Sequence, residues 1–567
     1  MRSLRAFFVL AVVLLAPTPA ASAAPHHAAQ PARDLASRLS TPPSLDSSNN
    51  PGLGTSDRTR CTATGDPDTQ IDISCDSSRA PDNEFAVAAD PADPDHLLAG
   101  SNDTFVEDTQ GGVIFTNYIG TFTSFDGGAT WTDSQLPNGN SVRVSDPAPA
   151  FDVKHGTAHM GYVGLSSGKR SPLAARVDVL VATSRDGGLT WGRAATVAAG
   201  TGALNGIQQD KPWLAVDNTP SSRFYGRLYA VWTRFAGNQN GYDESPIVLS
   251  FSDDGGTSWS PPREISGSNP QFCFAQVDQA QVDTGRDGQY DCDQDQNARP
   301  AVAADGTVYV SFTNFAQDQL EGDFDDQVMI VCSTDGGMTF TDPVHVVRLQ
   351  DGLSDYPLNV EGRQTLTGHQ FRVTPFFPSN VAVDGSGGPH RGRVYLAFMD
   401  NEGTPGAEPV TDTNIFLAYS DDLGRTWVGG DAGTTDAASR IRVDDTPDSD
   451  QFFAAVAVSP VDGRVDVLYL DGRADRNLYD TTLASSPAEL SGFDRQGLNA
   501  VPSDPDHARS NRAGVPECPD CSTFIGDYIG LDVDRLGRAH AVWDQLSRPV
   551  PDGSGLFADD AYYARRH

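Results

Sequence analysis

One octapeptide pattern, S-x-D-x-G-x-[ST]-[WF], recurs five times along the chain and limits the fold more than any other feature. The copies begin at Ser124, Ser184, Ser252, Ser333 and Ser420 and carry Asp126, Asp186, Asp254, Asp335 and Asp422, spaced 60, 68, 81 and 87 residues apart. That interval suits one four-stranded blade plus loops of varying length, so the motif predicts a repeat architecture. In each copy an aspartate can accept hydrogen bonds from the amides of a tight hairpin. A following glycine can take a backbone conformation that a side chain would obstruct. Five near-identical aspartates would require five equivalent active sites to be catalytic, so they are scaffold.

A second repeat supports the first. Short apolar strands run over Glu84–Asp90, Asp146–Asp152, Lys211–Asp217, Arg299–Asp305, Pro378–Asp384, Phe453–Ser459 and Tyr528–Asp534. Partner strands follow Gly226, Gly306, Gly392 and Gly537, rich in the small and β-branched residues that suit crowded inner strands. The chain is therefore predicted to be all-β: a β-propeller of four-stranded antiparallel blades, seven in number with six as the alternative. The motif hairpins are expected on the face opposite the functional site. The sixth copy keeps only a worn motif near Ser485, and the seventh runs out of chain after its third strand. A closed ring cannot leave that edge bare. The segment from Gln70 to Cys75 is expected to supply the missing outer strand, pinned by a Cys61–Cys75 bridge.

Met1-Arg2-Ser3-Leu4-Arg5, an apolar run from Ala6 to Ala16 and the small residues Ala21-Ser22-Ala23 read as a signal peptide cut after Ala23. Residues 24–80 are rich in Ala, Pro, Ser and Asp, and read as a mostly disordered leader. Residues 81–567 read as one propeller domain. No later stretch is apolar enough to anchor the chain in a membrane, so a secreted monomer is expected. Acidic residues outnumber basic ones 76 to 40, a net charge of −36, which repels a nucleic-acid backbone. In an oxidising compartment, the remaining cysteine spacings suggest Cys273–Cys292 and Cys518–Cys521 as structural disulfides, with Cys332 left over. The acidic loop holding Asp283, Asp287, Asp291 and Asp293 is loosely like a calcium loop, but Gly285 stands at its third position and no glutamate closes it. Calcium is the one cofactor it suggests, against a merely solvated loop.

Residues that begin the inner strands should ring the mouth of the central channel, where propellers bind small ligands. They are Glu84, Asp146, Lys211, Arg299, Pro378, Phe453 and Tyr528. Adjacent or returning positions add Asp103, Asp210, Arg234, Asn314, Asp400, Asp471, Arg473, Asp527 and Asp544. Acids, guanidinium groups and a tyrosine on one face suit sugar chemistry, although polar residues at a channel mouth also serve simply to tie blades together.

The five motifs resemble the Asp boxes (BNR repeats) of the sialidase (neuraminidase) superfamily, including exported sialidase family proteins. The resemblance implies an exo-α-sialidase type of glycoside hydrolase acting on an extracellular glycan or glycoconjugate without an organic cofactor. It implies a tyrosine nucleophile activated by a glutamate, an aspartate acid/base and three arginines holding a substrate carboxylate. Carried over by position, Tyr528 is the nucleophile and Asp146 or Asp210 the acid/base. Arg234, Arg299 and Arg473 form the clamp, with Lys211 and Asp527 beside them. Glu84 takes the first-blade position, and the R-I-P element that sialidases carry before their first Asp box is missing. A non-catalytic glycan- or protein-binding propeller and a polysaccharide lyase are the competing readings.

Overall fold

The computed structural model describes residues 63, 65–74, 81–109, 112–166, 176–202, 206–238, 241–273, 291–315, 326–352, 354–359, 364–374, 380–430, 440–446, 449–475, 478–508, 524–549 and 555–567. Its strands form seven antiparallel sheets, each with a path of four consecutively paired strands. They make a seven-bladed β-propeller. The inner strands of blades 1 to 4 are Asp82–Ala89, Arg143–Asp152, Ile207–Val216 and Asp295–Val302. Those of blades 5 to 7 are Asn380–Val383, Gln451–Val458 and Gly530–Val533. The helical content among the described residues is a short 3-10 turn at Pro505–His507.

Blade 7 draws on both ends of the described chain. Its first three strands are Gly530–Val533, Ala539–Pro549 and Phe557–Arg566, and its outer strand is Ile71–Asp72. Ile71 pairs with Tyr563 and Asp72 with Tyr562. The Ile73 amide continues the ladder to the Ala561 carbonyl at 2.8 Å.

The core lies between blades rather than within any one of them. Leu228, Ala230 and Trp232 of blade 3 pack on Val179 and Val181 of blade 2. Tyr229, Val231 and Leu249, from the other face of blade 3, pack on Val308, Val310 and Phe312 of blade 4. Alternation along each strand sends successive side chains to opposite neighbours, so every sheet is buried on both faces.

The repeated turns behave as the motif chemistry requires. Ser124 Oγ donates to Asp126 Oδ1 at 2.9 Å and accepts from the Gly128 amide at 2.9 Å. The Thr130 amide and hydroxyl close the other side of the Asp126 carboxylate at 2.8 and 2.6 Å. The turns at Asp186, Asp254, Asp335 and Asp422 repeat this pattern. Gly128 has φ +91°, and a Cβ there would lie 2.2 Å from the Tyr563 hydroxyl, so blade 7 packs directly on the blade 1 turn. Each turn joins the third and fourth strands of its blade. Strand alternation therefore places it on the face away from where the inner strands begin.

Cys273 and Cys292 form a disulfide, while Cys332 is buried and free. Cys61, Cys75, Cys518, Cys521, Asp283, Asp287 and Pro378 lie outside the described residues.

Candidate active site

The inner strands do not start straight. Their ladders slip between Asn83 and Ala86, Ser145 and Ala148, Asp210 and Trp213, Gln296 and Arg299, and Phe452 and Ala455. Each slip is a bulge whose first extra residue has positive φ: Glu84 (57°), Asp146 (64°), Lys211 (45°), Asn297 (58°) and Phe453 (58°). A bulge re-aims a side chain, and left-handed backbone at a residue with a Cβ costs on the order of 1–2 kcal/mol. Charged groups are thus held at the axis against local backbone preference.

This register corrects one position. The ring residue of blade 4 is Asn297, and Arg299 sits two residues further on, paired with Ser311. In blades 3 and 7 the hairpin closes on the aspartate itself, with the Asp217 and Asp534 amides bonded to the Arg227 and Arg538 carbonyls. In blade 4 it closes at Ala303, whose amide bonds to the Thr307 carbonyl, so Asp305 lies within the turn and is not a valid alignment anchor.

Lys211 sits at the centre of the cluster. Its Nζ lies 2.8 Å from Glu84 Oε1, 2.9 Å from Asp146 Oδ1 and 3.0 Å from Asp527 Oδ2, joining blades 1, 2, 3 and the start of blade 7. Asn102 Nδ2 donates to Glu84 Oε2 at 2.7 Å, and its Oδ1 accepts from the Asp146 amide at 2.9 Å. Arg372 grips Asp527 through Nη2 at 2.5 Å and Nε at 3.2 Å, and the Thr374 hydroxyl reaches Asp527 Oδ1 at 3.1 Å. The Arg299 guanidinium lies 3.6 Å from the Trp213 ring centroid and 4.9 Å from that of Tyr528. Lys211 Nζ is 5.4 Å from the Tyr528 centroid. Three polar atoms here are buried without a hydrogen-bond partner among the described residues: the Tyr528 hydroxyl, Arg299 Nη1 and Arg372 Nη1. Asp210 Oδ1 is a fourth.

Burial drives most of the electrostatics. It pushes the Glu84 carboxyl well up against the opposing pull of Lys211. It pushes Asp210 up to about 7, with Asp146 adding to the effect. Burial disfavours the Lys211 charge, but Asp146, Asp527 and Glu84 outweigh it and hold the ammonium protonated. For Asp527 burial loses to Arg372 and Lys211, and the carboxyl lies well below the usual range. Burial, with Glu84 and Asp146 next, holds the Tyr528 phenol well above its ordinary value. Burial also pulls Arg299 down to about 10.

The structure therefore brings together Tyr528, Asp146, Asp210, Glu84, Arg299, Lys211 and Asp527. Arg234 stays outside the cluster: its Nη2 lies 2.6 Å from Glu244 Oε1 and 3.3 Å from Glu264 Oε2, tying strands of its own blade. Arg473 falls in the strand Val465–Asp475, and its side chain lies outside the described residues. Asp291 makes a bridge with Ser268, and the Asp293 carbonyl accepts from the Ser245 amide at 2.6 Å. Arg372 and Thr374 were missed because they belong to no repeat. They sit on a strap between blades 4 and 5 whose Tyr356, Leu366, Phe371 and Val373 are buried in the core shared by blades 5, 6 and 7. The one sequence signal for the strap is the 87-residue interval from Asp335 to Asp422.

Fold and cluster together define a seven-bladed propeller with a charged, largely buried centre at the end where its inner strands begin. No protein-family profile matches the chain, and no curated protein matches it. Among solved structures it is similar to the Hadza microbial sialidase Hz136, at 14% identity over 80% of this chain and 76% of that one, with TM-score 0.40. It is also similar to an α-L-arabinanase from Penicillium chrysogenum complexed with arabinobiose, at 15% identity over 74% and 98% of the two chains, TM-score 0.42. A leech intramolecular trans-sialidase is similar at 9% identity over 89% and 92%, TM-score 0.41. The seven blades rest on this chain's own strand pairing, and the chemistry on its own side chains.

Proposed function

We propose that the protein is a secreted glycoside hydrolase of sialidase-like type, acting on an extracellular glycan at the channel mouth. The observation that carries this reading is the Tyr528 hydroxyl, buried without a hydrogen-bond partner among the described residues and set beside Glu84, Lys211 and Arg299. In this reading Tyr528 attacks the anomeric carbon and passes its proton to Glu84, which must first give up the proton that burial makes it hold, a release that Lys211 favours. Asp210, pushed up to about 7, protonates the leaving oxygen, because a general acid works best with a pKa near the working pH. Arg299 and Arg372, each with a buried Nη1 to spare, are the donors for a substrate carboxylate. Arg372 then takes a clamp position for which the sequence offered Arg234 and Arg473.

One observation favours a non-catalytic glycan-binding propeller instead. Lys211 already bridges Glu84, Asp146 and Asp527, as a purely structural spoke between blades would. Fluorophore release from aryl sialosides and aryl α-L-arabinosides, run with Tyr528→Phe alongside, separates the two readings. Turnover by the wild type that disappears in the variant, with glycan binding retained, is expected. Binding without turnover by either protein would leave the binding propeller.

A further inference from the structure

Where the inner-strand ladders resume after their slips, blades 1, 2 and 6 place Ala86, Ala148 and Ala455. Blade 7 has Gly530 two residues after Tyr528, and a Cβ there would lie 3.0 Å from Ala86 Cα. Small residues are what strands crowded at a propeller axis require. Blades 3 and 4 depart from this side by side, resuming at Trp213 and Arg299. The two large side chains stack on each other, with the Arg299 guanidinium 3.6 Å from the Trp213 ring centroid. Trp213 also meets the Tyr528 ring nearly at right angles, at 81°, with the centroids 5.4 Å apart. One indole therefore lies against two groups that keep a buried polar atom without a hydrogen-bond partner among the described residues, Arg299 Nη1 and the Tyr528 hydroxyl. Packing alone does not call for tryptophan here. The ring is only partly buried, against the cores on both sides of blade 3, at a position where alanine serves three other blades. Nor does hydrogen bonding fix the plane of Arg299: its Nε donates to Asn297 Oδ1 at 3.1 Å, within its own strand, and the guanidinium could swing about that bond. A flat aromatic face at van der Waals distance removes that freedom.

We propose that Trp213 is a positioning residue, whose indole holds the Arg299 guanidinium flat with Nη1 left for the substrate and braces the Tyr528 ring beside it. This rests on the glycosidase reading, in which Arg299 meets the substrate and Tyr528 attacks it. Trp213 acts on the reaction only through these two side chains, by restricting them to the geometry from which they can work.

The test takes the full mature chain through a cycle of Trp213→Leu, Arg299→Lys and the double variant, assayed with an aryl sialoside or aryl α-L-arabinoside, whichever the wild type cleaves. Each single change should lower kcat/KM at least tenfold, since lysine keeps the charge but has no plane to stack. The double variant should lie within threefold of the worse single, because two changes that break one contact do not add. Trp213→Phe, which keeps an aromatic face, should recover most of the loss. Losses that multiply in the double variant, or wild-type kcat/KM in Trp213→Leu, would overturn the proposal. Crystal structures of the wild type and Trp213→Leu supply a readout that needs no turnover. The Arg299 guanidinium should leave its wild-type place while Lys211 and Glu84 keep theirs, and an Arg299 that stays put would overturn the proposal whatever the kinetics. An inactive wild type would end the glycosidase reading, and the two structures alone would then decide whether Trp213 holds Arg299. Trp213→Met takes the place of the leucine variant should that one fail to fold.

Discussion

Lys211 shows how much can rest on one side chain. Three carboxylates from separate parts of the ring approach its ammonium, so Lys211→Met leaves buried charges unpaired. The expected loss is about 3–5 kcal/mol, measurable by urea unfolding. Asp210 acts in the opposite sense. With its folded value near 7, the native state keeps a proton that the unfolded chain releases above its ordinary carboxylate range. Stability should therefore fall as pH rises from about 4 to about 7. Asp210→Asn should flatten that slope in melting temperatures taken across the window. If Asp210 is the general acid, the same variant should also remove the basic limb of the pH–rate profile. Asp335 shows the reverse linkage. Burial opposes its charge, but hydrogen bonds from Thr339 and Ser333 prevail and bring it down to about 2. Its contribution should persist above the unfolded value and be lost as pH drops from about 4 toward 2. Asp335→Ala should remove that loss.

At the scale of the element, the turns and the inner strands explain what could be read in the sequence. Both the Ser-x-Asp turn and the apolar inner strand are local: one closes within eight residues, the other alternates every second residue, and both leave a pattern. Glu84, Asp146, Lys211 and Tyr528 were legible for the same reason, since each stands at the same offset before the aspartate that ends its repeat, Asp90, Asp152, Asp217 and Asp534. Blade 4 misled because a shortened hairpin moved its aspartate into the turn, and counting back from Asp305 then landed on Arg299 rather than Asn297. Arg372 left no trace of its role, because a strap contacts its target through space and the 155 residues separating it from Asp527 follow no period. The turns also yield a test of their own. Gly128→Ala should destabilise clearly, since its φ is unfavourable for alanine and the added methyl meets the Tyr563 ring. Gly139→Ala, with positive φ but nothing within 4 Å, isolates the backbone share.

For the molecule as a whole, the decisive feature is that Ile71–Asp72 completes the sheet of Phe557–Arg566. Arg548 reinforces the joint by pairing with both Asp72 and Asp560. A chain beginning at residue 81 should lose a strand, expose the edge at Phe557–Arg566 and associate through it. Gel filtration should show oligomers and calorimetry a lower melting temperature; a monomer of unchanged stability would mean the closing strand is dispensable. The joint also has a temporal consequence. Because the closing partner of Ile71–Asp72 lies in Phe557–Arg566, the first described strand has nothing to pair with until that distant segment has been made. Until then the two blades at the open joint each keep one flank bare. Folding must therefore end with a single contact spanning nearly the full described length, a slow, high-contact-order event. A ring closed by one such joint is also the ring that should open there first when it is pulled from its two ends.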